Sequence, residues 1–131
     1  MKNIFAPGAK KVYRKKVTPA DQAIFHGEVL HPVCSTFALA RDFEWSSRLF
    51  FLDMKDTDEE GVGTFLHIDH ATPAFVGEEI VITATVEDST SREFVCSIEA
   101  RVGARLVATG KTGQRMLKKD KLASIFSKPK E

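Results

Sequence analysis

HPVCSTFALARDFEW, residues 31–45, is where an irregular opening gives way to a long helical pattern. From Val33 to about Met54, apolar or small residues recur at 33, 37, 40, 43, 47, 50, 51 and 54, the three-and-four spacing of an amphipathic helix with one wide buried stripe. No other stretch predicts a long helix. Ser35 or Thr36 supplies the N-cap, and the polar run 53–61 ends the helix and turns the chain.

Outward from this helix, almost everything downstream alternates with period two. In Val62 to His70, the residues Val62, Leu66, Ile68 and His70 share one expected face, and Phe65, His67 and Asp69 share the other. Residues 79–87 place Ile80, Ile82, Ala84 and Val86 inward, and residues 94–102 do the same with Phe94, Cys96, Ile98, Ala100 and Val102. Turns are expected at Asp88-Ser89-Thr90-Ser91 and Gly103-Ala104-Arg105. A glycine-interrupted strand follows over 105–117, then a short charged helix over 119–126. Upstream, residues 11–17 alternate weakly and carry many lysines and arginines, as an exposed edge strand does to avoid pairing with a neighbour's edge. Residues 23–32, with Phe25, His26, Gly27, His31 and Pro32, lack steady periodicity and read as a loop or a short helical turn placed like a lid over a pocket.

One helix with one apolar stripe must be covered by a sheet with one apolar face, so the expected class is α+β, a curved antiparallel sheet wrapped around a central helix. Such a sheet keeps an open edge and a second face that carries Phe65, Val81, Val95 and Val107. Pairing two copies covers both, which predicts a homodimer.

The chain has 131 residues, enough for a single domain, 1–131, with its core over about 11–117 and a lysine-rich segment at 118–131. Hydrophobic residues make up 43% and charged residues 28%, with a formal net charge of +1, the balance of a soluble globular protein with no nucleic-acid or membrane partner. Two cysteines, Cys34 and Cys96, form no spaced framework, and residues 1–9 contain no apolar run for export, so a reducing cytoplasm is expected.

Polar residues at positions that should be buried mark where chemistry is expected. Glu44 lies in an apolar pattern between Phe43 and Trp45, and a carboxylate held among apolar groups keeps its proton to higher pH, as a general base or acid working near neutrality requires. Its plain alternative is to point outward or pair with Arg41 or Arg48. Thr36, eight residues earlier, lies about 80° away around the helix, so the two are expected to line the same cavity. There its hydroxyl, beside helix N-terminal N–H groups, suits an oxyanion; its alternative is a cap. His70 on the inward strand face reads as a base, an orienting donor, or a satisfied core histidine. Gly63 admits close approach of a ligand or marks a bulge. His67, Asp69 and His70 form H-x-D-H, but alternation sends His70 to the face opposite the other two, so no metal site is expected. Cys34 near a helix start is a weak nucleophile candidate, and Cys96 reads as core.

Together these residues resemble a known family. Pro32-Val33-x-x-Thr36, Glu44-Trp45, Val62-Gly63-Thr64 with His70, and Ala71-Thr72-Pro73 with Gly77 are similar to the hot-dog-fold thioesterases related to fluoroacetyl-CoA thioesterase, over about 11–117. The resemblance implies the hot-dog fold, two subunits with active sites near their interface, and hydrolysis of an acyl-CoA thioester, with CoA as part of the substrate and no further cofactor. It implies Thr36, Glu44 and His70 as the catalytic set and Gly63 as a residue shaping the site. Phe25, Val33 and Phe37 are the expected walls of a pocket for a short or small acyl group. The segment 25–30 departs from the family, so fluoroacetyl selectivity is not carried over. Whether Glu44 or Thr36 is the nucleophile, and whether dimers pair further into tetramers, stays open. Two other readings of the same fold are a hydratase or dehydratase, which pairs an aspartate with histidine on a longer motif not found here, and a non-catalytic acyl-CoA-binding module.

Overall fold

The clearest period-two segments form the centre of the sheet. In the computed structural model, which describes residues 1–2, 4–90 and 93–127, β5 (Glu79–Ser89) and β6 (Phe94–Val102) bury Ile80, Ile82, Ala84, Val86, Phe94, Cys96, Ile98 and Ala100. Together with β1 (Lys10–Lys16), β4 (Glu59–His70) and β7 (Arg105–Lys118) they make a five-stranded antiparallel sheet in the order β1-β5-β6-β7-β4. The basic strand β1 is one edge, as its lysines and arginine suggest, and β4 is the other.

Across the inner face lies α1 (Thr36–Met54), which buries Leu39, Phe43, Phe50, Phe51 and Met54. Phe50 and Phe51 both meet the ring of Phe94, with centroids 5.4 and 5.3 Å away, and Phe5 closes on Phe50 at 5.0 Å. Burial of each such phenylalanine contributes up to about 3 kcal/mol. The buried face runs through 39, 43, 46, 50 and 54 rather than through 37 and 40. Phe37, two residues before Leu39, is therefore turned about 200° away and is 79% exposed. A short α2 (Lys119–Phe126) follows β7, anchored by the buried Leu122.

Three expectations are corrected by backbone irregularities. The segment read as a loop or helical turn is a hairpin, β2 (Gln22–Phe25) with β3 (Glu28–Cys34), which delays the helix to Thr36. Two register shifts within four residues of β2 erase its alternation, and His26 and Gly27 at φ 53° and 79° make the turn. In β4 a bulge between Gly63 and Phe65 reverses the alternation. Gly61 and Gly63 face α1 before it, Leu66, Ile68 and His70 face inward after it, and Val62 lies on the opposite side from those three. In β7 an extra residue opposite the Ala100–Arg101 step turns Val107 into the core, where it is fully buried and its C=O accepts the N–H groups of Ala71 and Thr72. Phe65, Val81 and Val95 do remain on the outer side, at least half-buried or exposed. Strand β5 continues through Ser89, so the expected turn begins two residues late; Ser91 and residues 128–131 lie outside the described residues.

Candidate active site

The helix start is built so that two adjacent hydroxyls do different work. Ser35 is the N-cap, its Oγ accepting the Ala38 N–H at 3.0 Å. Thr36 is thereby released from capping, and its Oγ1 stands 2.9 Å from His70 Nδ1 at the end of β4. His70 is half-buried, and its Nε2 is buried with no hydrogen-bond partner among the described residues. A histidine bonded at one nitrogen and empty at the other is a poor core filler and a ready proton donor or acceptor.

Around this pair is a cavity of about 300 Å³, walled by Ala23, Phe25, His31, Val33, Cys34 and Phe37 along with Thr36 and His70. All three expected pocket residues, Phe25, Val33 and Phe37, are on it. The hairpin thus covers the site as a lid would, but as paired strands rather than a loop. Cys34 is a poor nucleophile here, because burial, reinforced by the nearby Asp21 and Asp42 charges, pushes its thiol up to about 11.

Glu44 is placed differently from expectation. It is exposed rather than enclosed by apolar groups, and it does not line the Thr36–His70 cavity. Eight residues of helix set it about 12 Å along the axis from Thr36. The expected pairing with arginine is not formed either: Arg41 bonds Asp21 and Asp42, and Arg48 bonds Glu60 and the Gly61 C=O. Its carboxylate lies instead over Gly63, with Oε1 2.6 Å from where a Cβ on that glycine would stand. The structure therefore brings Thr36, His70, Phe25, Val33 and Phe37 to one place and Glu44 and Gly63 to a second. His67 and Asp69 pair with each other at 2.9 Å on the side away from His70, as alternation predicts.

Asp21, unnoticed in the sequence, ties the lid to the helix. Its C=O accepts the Ser35 N–H at 2.8 Å and its carboxylate accepts from Thr18 N–H at 2.8 Å and Arg41 at 3.0 Å. Burial works to raise this carboxyl, but the hydrogen bonds from Thr18 and Arg41 hold it below the usual carboxylate range. A Thr-Pro-x-Asp sequence signals such a cap, though nothing in it points to Arg41. Gln114 and Ser47, both buried beside Glu44, were also missed; the inward parity of Gln114 among Gly110, Thr112 and Gln114 is a signal that could have found it.

Similar proteins agree with this architecture. A thioesterase superfamily member from Thermus thermophilus is 26% identical, with a TM-score of 0.90 over 96% of this chain and 93% of that one. A hot-dog-like protein from Thermanaerovibrio acidaminovorans gives 22% and 0.86, over 93% and 90% of the two proteins. The structure of a fluoroacetyl-CoA thioesterase gives 16% and 0.86, over 95% and 98%. No curated protein matches the sequence. The family model of the fluoroacetyl-CoA-specific thioesterases matches residues 17–120. The fold is thus α+β of the hot-dog type, and the chain belongs to the fluoroacetyl-CoA-specific thioesterase family, a family of thioester hydrolases.

Proposed function

We propose that the protein hydrolyses a small acyl-CoA to the free acid and CoA, using Thr36, His70 and Glu44. The observation that carries this reading is the 2.9 Å contact of Thr36 Oγ1 with His70 Nδ1 beside a cavity of about 300 Å³. That volume suits a short or compact acyl group with the thioester carbonyl at the helix start. The carbonyl oxygen gains negative charge as it is attacked, and the backbone N–H groups of the first turn of α1 stabilise it. Glu44 attacks the carbonyl, forming a mixed anhydride that water then hydrolyses to the free acid, or it removes a proton from a water that attacks the carbonyl directly. The C–S bond then breaks, and with the Thr36 hydroxyl donating to Nδ1, His70 donates a hydrogen bond from Nε2–H to the leaving CoA thiolate, which takes its proton from solvent as the proton removed from water is released. CoA enters with the substrate, and no separate cofactor takes part.

Because Glu44 lies two helical turns from the Thr36–His70 pair, the reaction needs a second copy that brings its own Glu44 to that pair. The open edge of β4 and the exposure of Phe37 (79%), Phe65 (45%), Trp45 (39%) and Leu66 (38%) supply a surface for such a homodimer. Free, buried Cys34 and Cys96 are consistent with a reducing cytoplasm. No helix among the described residues is long and apolar enough to cross a membrane.

The test is thiol release from short, branched, aromatic, long and fluoroacetyl CoA thioesters, with Glu44→Gln as control. Turnover of small acyl groups that disappears in Glu44→Gln supports the reading, and no release by the folded protein overturns it. Mixing inactive Thr36→Val and Glu44→Gln subunits tests the shared site. Mixed dimers regain one intact site only if Thr36 and Glu44 of different copies work together.

A further inference from the structure

Gln114 is a buried amide that the proposed reaction leaves unused. It is 1% exposed, on the inner face of β7, and lies in register opposite Gly63 of β4. Its Nε2 donates to the Glu44 C=O at 3.1 Å and to Ser47 Oγ at 2.8 Å, and Ser47 Oγ itself donates to the Glu44 C=O at 2.9 Å. Both amide hydrogens are thus spent on one turn of α1. Oε1 is buried with no partner among the described residues. The orientation follows from the acceptors, since a flipped amide would set Oε1 against the Glu44 carbonyl oxygen.

As a space filler Gln114 is a costly choice in a core that also holds Phe43, Phe50 and Phe51, because its unpaired oxygen has been taken from water without replacement. Its placement explains it better. The β4 residue paired with Gln114 is the glycine over which the Glu44 carboxylate lies, with Oε1 of Glu44 2.6 Å from the Cβ position. Residue 44 therefore meets the sheet at two neighbouring points: its backbone carbonyl accepts from the amide of β7, and its side chain lies over the gap at Gly63 in β4.

We propose that Gln114, acting with Ser47, is a positioning residue that sets where the Glu44 carboxylate stands. This rests on the thioesterase reading, in which Glu44 reacts. A misplacement of about 1 Å at a reacting group costs up to roughly 100-fold in rate.

The test uses Gln114→Met, which keeps the volume and removes both donors, and Ser47→Ala, a small change that removes one corner of the triangle. In the full-length protein, Gln114→Met is expected to lower kcat for thiol release by about 10- to 100-fold and to leave KM within roughly twofold. In the Glu44→Gln background it is expected to add no further loss, because its effect passes through Glu44. An unchanged kcat overturns the proposal, and so does a further loss in that background. A second readout does not depend on activity: the ¹³C resonance of the Glu44 carboxylate, identified by its disappearance in Glu44→Gln, should shift or broaden in Gln114→Met. A protein that hydrolyses no acyl-CoA defeats the thioesterase reading alone, while an unmoved Glu44 resonance defeats this one. Should Gln114→Met fail to fold, Ser47→Ala carries the same measurements, with a smaller loss of kcat and the same resonance displaced.

Discussion

The Glu44 carboxylate occupies the space that a side chain at position 63 would fill: Glu44 Oε1 is 2.6 Å from the ideal Cβ of Gly63. Space is the reason for glycine here, since Gly63 is not among the glycines with positive φ. Gly63→Ala is expected to displace the end of a flexible, exposed side chain, which costs little stability. Thermal unfolding should shift by only a few degrees while thiol release falls by about 10-fold or more. A large drop in Tm with normal specific activity would show that the glycine serves packing alone.

Ser35 and Thr36 give a paired prediction. Thr36→Val keeps shape and leaves the Ser35 cap on Ala38 intact, so helicity and Tm should hold while kcat falls by about 100-fold through loss of the hydroxyl that fixes the His70 tautomer and orientation. Ser35→Ala should do the reverse, costing about 1 kcal/mol of stability with a smaller effect on rate. Urea titration and steady-state kinetics on both variants distinguish the two roles.

Asp21 predicts an acid weakness. Its carboxyl is held below the usual range by Thr18 and Arg41, so the folded form binds a proton less readily than the unfolded protein. The stability this contributes is present above the unfolded value of about 3.9 and is lost as pH falls through the lower folded value. Asp21→Asn should reduce stability near pH 7 by about 2 kcal/mol and flatten the acid limb of a stability–pH curve. An unaltered acid limb would remove Asp21 from that role.

The two thiols should resist modification in the native state. Burial is the largest cause that pushes Cys34 up to about 11 and Cys96 up to about 12, so the thiolate is scarce at pH 8. Alkylation by iodoacetamide is expected to be slow and to track unfolding by urea. Fast labelling of folded protein at Cys34 would mean that the β2–β3 lid opens readily.

Much of the sheet could be read directly because burial imposes period two wherever the backbone is regular. Ile80, Ile82, Ala84 and Val86 show this for the sheet, and α2 over 119–126 was read from its charge alone. Reading failed where one extra or slipped residue broke the count. The bulge at β4 moved Val62, the slip in β7 moved Val107, and two shifts in β2 concealed a hairpin. Phe37 was misplaced for another reason: an apolar residue fits a stripe on paper, yet the core selected Leu39 and Phe43, which lie about 160° and 120° from it around the helix.

By itself, the sequence determined the long helix, the strands of the large sheet, the inward faces of β5 and β6, the α+β class and the choice of Thr36, Glu44 and His70 as candidates for chemistry. These follow from local geometry, which repeats along the backbone. Only the tertiary structure decided that Ser35 caps the helix and so frees Thr36 for His70, that Glu44 stands over Gly63 away from that pair, and that Gln114 reaches the Glu44 turn from a strand 70 residues later. Such contacts depend on register and on which of several possible donors arrives first at an acceptor, and those distances exist only once sheet and helix have packed.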